Sequence, residues 1–281
     1  TCPLFHHRSD RIKPSKKPCY VIPHPSEDYM LVTDYDGNIY ARKFDIDENQ
    51  RISIFHSKLK SKCTALGFQT AGTMFAAAQL NYVSLFSFCL DNCSRPYVTY
   101  NTHGSSVQAL EFVQGTGIFA TCQKPSIEFD ANIVFWDSIL SPGSAMISSM
   151  NVKKIGNPTS IVFSPKYNEV VVGTSKGSLV TIDTRKYEIL KILKNVHEKG
   201  IHALAVDPNE SYCVTGGNEG TVKVWDMRSL NHIAQMKNVH TPRMVKKKQK
   251  WKSLAVTGIE IRNDIIYTSG LDGHINRIEF S

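Results

Sequence analysis

Gly200–Arg228 reads GIHALAVDPNESYCVTGGNEGTVKVWDMR, and the pattern inside it decides the fold. Ile201, Ala203 and Ala205 alternate along a first extended segment, and Asp207-Pro208-Asn209 supplies a turn. Tyr212–Thr215 forms a second strand, Glu219-Gly220 a second turn, and a third strand ends in Trp225-Asp226. Period-two alternation broken at short intervals by Asp, Pro, Asn and Gly marks strands joined by hairpins.

The same unit returns as PTSIVFSPKYNEVVVGTSKGSLVTIDTR over Pro158–Arg185 and as SLAVTGIEIRNDIIYTSGLDGHINRIEF over Ser253–Phe280, and more loosely three further times. The position of Trp225 is filled elsewhere by Arg42, Phe86, Trp136, Ile182 and Ile278, at intervals of 43 to 53 residues. Extended segments suited to a fourth strand lie between repeats, at Ile52–Phe55, Tyr97–Tyr100, Ala145–Met150, Ile189–Leu193 and His232–Met236. One four-stranded unit per interval predicts an all-β propeller, in which blades cover one another and leave only short strand edges. Six blades are recognised, and a ring of six or of seven accommodates them. The last unit ends at Phe280-Ser281 with three strands, so residues 1–22 are read as an N-terminal segment able to supply a closing strand, and 23–281 as the propeller.

Composition admits this and excludes other classes. The chain has 281 residues, 41% hydrophobic and 21% charged, which suits a soluble globular fold. No apolar run approaches the roughly 20 residues of a membrane helix. Residues 1–20 lack a secretory apolar stretch and the chain does not start with Met, so it is read as a piece of a longer polypeptide. Cys2, Cys19, Cys63, Cys89, Cys93, Cys122 and Cys213 are odd in number and show no zinc-ligand spacing, as expected of reduced thiols in the cytoplasm. His6-His7 beside Cys2 is not counted as a metal cluster, and no metal or other cofactor is expected. The net charge of +8 is concentrated: residues 243–252 hold six cations and no acid, and residues 1–20 hold five cations against Asp10. The remainder is nearly neutral, which argues against nucleic acid as the partner of the whole fold. GxSxG, HExxH and a Walker lysine are all missing, and Gly216-Gly217 sits at a strand end rather than ahead of a helix. The expected protein is not an enzyme.

Trp-Asp at the end of a third strand, a turn acid six residues before the Trp and a His ahead of the repeat resemble the WD40 family. That resemblance implies a buried hydrogen-bonded set of His, Thr, acid and Trp. His103, Thr121, Asp130 and Trp136 match it in one blade, and His197, Thr215, Glu219 and Trp225 in another, with Glu in place of Asp. Blades marked by Arg42, Phe86, Ile182 and Ile278 lack the Trp, although Asp36 and Asp272 keep the turn acid, so those blades are expected to rely on apolar packing. Read in order, His24–Asp45, Asn132–Met146, Lys199–Trp225 and Ile265–Ile278 are similar to the C-terminal propeller of the DmX-like, or rabconnectin-type, proteins. The run VFWDSILSPGSAM, where Trp-Asp leads into Ile-Leu-Ser-Pro-Gly, is its most specific element. The resemblance implies a cytoplasmic scaffold for protein–protein interaction, peripheral on endosomal, lysosomal or synaptic vesicle membranes. It further implies a role in assembly or activity of the vacuolar-type proton pump (V-ATPase), hence in vesicle acidification, beside a second WD40 scaffold subunit.

Interface candidates are Arg42, where a charge replaces the usual aromatic, and Arg243, Lys246, Lys247, Lys248, Lys250 and Trp251. The basic run has three open readings: a solvated insertion, a contact for an acidic partner or anionic membrane surface, or a nucleic-acid contact. The alternative to the scaffold reading is a recognition module for a modified peptide or an anionic lipid, using the basic loop.

Overall fold

Among the described residues six antiparallel sheets of three or four strands follow one another in chain order, each made of consecutive strands. The computed structural model describes residues 18–43, 55–88, 95–113, 115–240, 244–245, 250–251 and 255–279. Blade 1 comprises β1 (Pro18–Pro23), β2 (Tyr29–Asp34), β3 (Asn38–Lys43) and β4 (Phe55–Lys58). Blade 2 is β5 (Ala65–Phe68), β6 (Met74–Gln79), β7 (Tyr82–Ser87) and β8 (Val98–Asn101). Blade 3 is β9 (Ser106–Phe112), β10 (Ile118–Lys124), β11 (Ile133–Asp137) and β12 (Met146–Met150). Blade 4 is β13 (Pro158–Ser164), β14 (Glu169–Thr174), β15 (Leu179–Asp183) and β16 (Glu188–Leu193). Blade 5 is β17 (Ile201–Val206), β18 (Tyr212–Gly217), β19 (Val222–Asp226) and β20 (His232–Met236). A two-residue ladder of β21 (Met244–Val245) and β22 (Lys250–Trp251) precedes blade 6, which is β23 (Val256–Arg262), β24 (Ile265–Gly270) and β25 (Ile275–Glu279). A 3-10 turn at Lys153–Ile155 is the one helical element among the described residues.

The repeat marker holds one register throughout. Arg42, Phe86, Trp136, Ile182, Trp225 and Ile278 each pair with the second residue of the preceding strand, namely Met30, Phe75, Phe119, Val170, Cys213 and Ile266. In four of the six blades a common turn supports this register. In blades 1, 4, 5 and 6 the second hairpin closes through Gly37, Gly177, Gly220 and Gly273, all at positive φ, each donating its N–H to the carbonyl three residues before. Glycine is required at Gly177: its φ is +73°, and a Cβ there would meet the His197 carbonyl oxygen at 2.2 Å.

Buried apolar clusters fill the seams between blades. Leu31 and Ile39 meet Phe75 and Phe86 across the first seam, and Leu85 and Tyr100 meet Phe119 and Trp136 across the second. Phe135 faces Phe163 and Val170 in the third, Val171 and Leu179 face Ile201 and Trp225 in the fourth, and Val214 and Val222 face Ile261 and Ile266 in the fifth. Among the described residues no such cluster joins blade 6 to blade 1. Val21 on β1 is 53% exposed, although Leu110 and Ile161, which hold the same position in blades 3 and 4, are 6% and 8% exposed.

One expectation is corrected. The boundary at residue 23 cuts β1, which is itself the first strand of blade 1. The prolines at both ends of PCYVIP hid it, since a strand-edge proline reads as loop. The described part of the first outer strand is Phe55–Lys58; residues 52–54 of the expected Ile52–Phe55 lie outside the described residues, as do residues 1–17, where a closing strand was expected.

Candidate functional site

The first strands of all six blades stand around one central channel of about 780 Å³, and their side chains are layered along it. Near the end where these strands begin, the register between first and second strands slips by one residue in blades 3 to 6. The extra residues are Gln108, Thr159, His202 and Thr257, and all four line the channel. A bulge re-aims a side chain that would otherwise sit in the pleat. Two residues further along each strand the lining turns apolar, with Leu110, Ile161, Leu204 and Ile259. The mouth is therefore a polar ring above an apolar throat. Thr159 and Thr257 donate their hydroxyls to Gly173 and Ser269 carbonyls at 3.1 Å, and partial desolvation by the channel wall lowers the His202 imidazole from its ordinary value.

Outside the channel, His197, Thr215, Glu219 and Trp225 form one hydrogen-bonded set. Trp225 Nε1 donates to Thr215 Oγ1 at 3.0 Å, Thr215 Oγ1 lies 2.7 Å from His197 Nε2, and His197 Nδ1 is bonded to Glu219 Oε1. The set is satisfied when Nδ1 carries the imidazole proton and Nε2 accepts from Thr215. Burial raises the Glu219 carboxyl, but the hydrogen bonds from His197 and the backbone outweigh it and hold the group below its ordinary value. Such a set ties the loop that enters blade 5 to the turn between β18 and β19.

Blade 3 keeps half of this. Trp136 Nε1 donates to Thr121 Oγ1 at 2.9 Å, but His103 and Asp130 are exposed and join neither. This corrects the expected set of His103, Thr121, Asp130 and Trp136. The loop between β10 and β11 runs from Pro125 to Asn132, longer than the turns of the other blades, and carries Asp130 outward to Asn151 (2.5 Å) and Lys153 (3.6 Å). His103 packs against Phe129 instead, and Gln123 fills the vacated space, donating to Thr102 and Ala131 carbonyls.

A further set went unread in the sequence. In blade 6, His240 Nδ1 lies 3.0 Å from Asp272 Oδ1 and Nε2 lies 3.0 Å from Thr268 Oγ1, with Ile278 where the Trp would be. His240 escaped notice because residues 241–255 separate it from its blade, whereas His197 stands four residues ahead of β17. The hydroxyl position of Thr215 is filled in blades 1, 2 and 4 by Val32, Ala77 and Val172, all buried, so apolar packing replaces the network there.

Of the interface candidates, Arg42 has its backbone in β3 opposite Met30, and the backbones of Lys250 and Trp251 pair with Val245 and Met244. Arg243, Lys246, Lys247 and Lys248 lie outside the described residues, as do Cys2, Cys89 and Cys93. Cys63 and Cys213 are buried thiols pushed up to about 12 by their surroundings, as unreactive cysteines are. No group of three or more His, Cys, Asp or Glu among the described residues is placed to hold a metal ion.

Residues 133–245 match the family model described as the Vps8 beta-propeller. The chain is 27% identical over 224 residues to DmX-like protein 1 of Mus musculus and 25% identical to that of Homo sapiens; each match covers 77% of this chain. The chain spans only 7% of the length of either relative. A solved structure titled "Crystal structure of RRP9 WD40 repeats" superposes with a TM-score of 0.74 at 12% identity, covering 94% of this chain and 76% of the other. At that identity the superposition establishes the WD40 fold alone.

Proposed function

We propose that this chain, a WD40-type β-propeller with DmX-like homologues over 77% of its length, is a scaffold domain serving assembly or activity of the vacuolar-type proton pump, and so vesicle acidification. The observation that carries the reading is the reach of the similarity: it runs through most of the blades rather than through a single Trp-Asp repeat. A disc of packed blades offers what a scaffold needs, since loops held by a rigid frame present a fixed surface without refolding. No helix among the described residues is long and apolar enough to cross a membrane. On this reading the domain meets vesicle membranes peripherally, through protein partners that include a second WD40 scaffold subunit.

Affinity recovery of partners from cytosol combined with membranes tests the reading. Proton-pump subunits and a second large WD40 protein are expected with the unaltered domain. They are expected equally with Lys246, Lys247, Lys248 and Lys250 changed to Glu, since a large interface with an apolar centre does not depend on one charged run. Recovery of neither class by the unaltered domain would rule the proposal out. Loss of both with the charge-reversed domain, together with binding to anionic lipid that salt abolishes, would favour recognition through the basic loop.

A further inference from the structure

The two ends of the disc differ in charge. At the end where the first strands begin, Lys60, Lys62, Lys154, Lys176 and Lys199 are all exposed on the loops that enter blades 2, 4 and 5 and on the β14–β15 turn. Glu198, beside Lys199, is the one acid on these loops and is exposed; among the acids on the neighbouring turns of this end Glu128 is exposed and four others are engaged. Glu219 is bonded to His197, Asp272 to His240, Asp130 to Asn151 and Lys153, and Asp34 accepts from the backbone of Asp36 and Asn38 and from the Asn38 side chain. The connection from β20 to β23 leaves and re-enters at this end as well. The opposite end is mixed in sign, with Glu27, Asp28 and Asp264 beside Lys166, Lys186 and Arg228.

Two more features share the basic end. The channel mouth offers neutral hydrogen-bonding groups, Gln108, His202 and Asn218 among them, with Lys62 on its edge. At the tip of the β10–β11 loop, Ile127 is fully exposed although the loop is held in place: Ser126 Oγ donates to the His103 carbonyl at 2.8 Å and accepts from Phe129 N–H at 3.0 Å. An isoleucine displayed by an ordered loop is an apolar anchor awaiting a partner pocket or side chain.

We infer that this end of the disc docks an acidic, extended polypeptide segment that crosses the channel mouth, with its carboxylates on Lys60, Lys62, Lys154 and Lys199 and its amides on Gln108 and His202. The inference rests on the protein-binding reading above and adds the surface and the chemistry of the partner. A peptide fits better than the other polyanions. The mouth is concave, so a flat bilayer would bridge it without reaching the polar ring. The ring itself carries amide and imidazole groups suited to a peptide backbone rather than further cations for closely spaced phosphates.

Fluorescence anisotropy of the full chain with a labelled alternating Glu-Gly peptide tests this, alongside vesicles containing phosphatidylserine and a poly(U) oligonucleotide. Saturable peptide binding that weakens with salt is expected. The triple variant Lys60→Glu/Lys154→Glu/Lys199→Glu should weaken it at least roughly tenfold, a loss typical of removing complementary charge. Gln108→Ala/His202→Ala should weaken it several-fold while leaving the salt dependence unchanged, and Lys166→Glu/Arg228→Glu at the far end should have no effect. If the triple charge reversal unfolds the chain, the neutral set Lys60→Gln/Lys154→Gln/Lys199→Gln is expected to weaken binding by a smaller factor. Unchanged affinity in the reversed or neutral set, equal loss from the far-end pair, or binding of vesicles or poly(U) without the peptide would each overturn the inference. Recovery of proton-pump subunits with no peptide binding would overturn only this surface, leaving the scaffold reading intact.

Discussion

At the scale of the residue, a buried hydroxyl is worth more than an exposed charge. Thr215 serves two partners at once, Trp225 and His197, in a region sealed from water. Thr215→Val keeps the shape and strands both partners, so it is expected to lower unfolding free energy by about 2 kcal/mol, the range for leaving buried polar groups unpaired. Asp130→Ala, which removes only exposed contacts, should lower it by less than about 0.5 kcal/mol; urea denaturation distinguishes the two. Titration adds an opposed pair. Glu111 on β9 accepts the backbone N–H of Phe163 in blade 4, and burial pushes its carboxyl up to about 8. A carboxyl raised in the folded state contributes stability that is complete below its unfolded value of 4.5 and declines as pH rises toward 8. Glu219 and Asp272 are held low, so their contribution is present above their unfolded values of 4.5 and 3.8 and disappears as pH falls below them. Urea midpoints across pH should therefore flatten between 5 and 8 in Glu111→Gln, with the acid limb unchanged; a wild-type slope in that variant would contradict the assignment. Glu260 holds the same position in blade 6 and is exposed, because no described element covers that face.

Elements in this chain are legible to the extent that their turns are regular. Trp225 and its five equivalents announced the blades, since one register recurs in all six and one kind of hairpin in blades 1, 4, 5 and 6. The set in blade 3 was misread because the sequence preserves the six-residue interval from Asp130 to Trp136, while the lengthened loop moves the acid away from Thr121. His240 was missed for the converse reason, an insertion after it rather than before. β1 was hidden by its prolines. Gly177 shows how tightly the regular turns are fitted. Gly177→Ala must adopt a φ of +73° and also displace the His197 carbonyl, whereas Gly115, at +74°, has open space around it. Strain at positive φ alone amounts to about 1–2 kcal/mol. Gly115→Ala is expected to lose that much, and Gly177→Ala more than about 3 kcal/mol by the same scale plus the clash. Equal losses in thermal or urea melts would mean that the turn adapts more freely than its contacts suggest.

For the whole molecule, what the sequence could not display is which loops share an end. Lys60, Lys154 and Lys199 lie in three different repeats and look scattered along the chain, and only the ring brings them to one rim. The polar channel mouth is invisible for the same reason, being assembled from one bulged residue in each of blades 3 to 6. Charge gathered at one end of a rigid disc orients an approaching partner of opposite sign before contact is made. Crosslinking the domain to the partners it recovers from cytosol and membranes, with a lysine-reactive reagent and identification of the joined peptides, tests the central claim most directly. Partner proteins, proton-pump subunits among them, are expected to be joined through Lys60, Lys62, Lys154 and Lys199; partners joined only through Lys166 and Lys186 at the other end, or no protein joined at all, would contradict that claim.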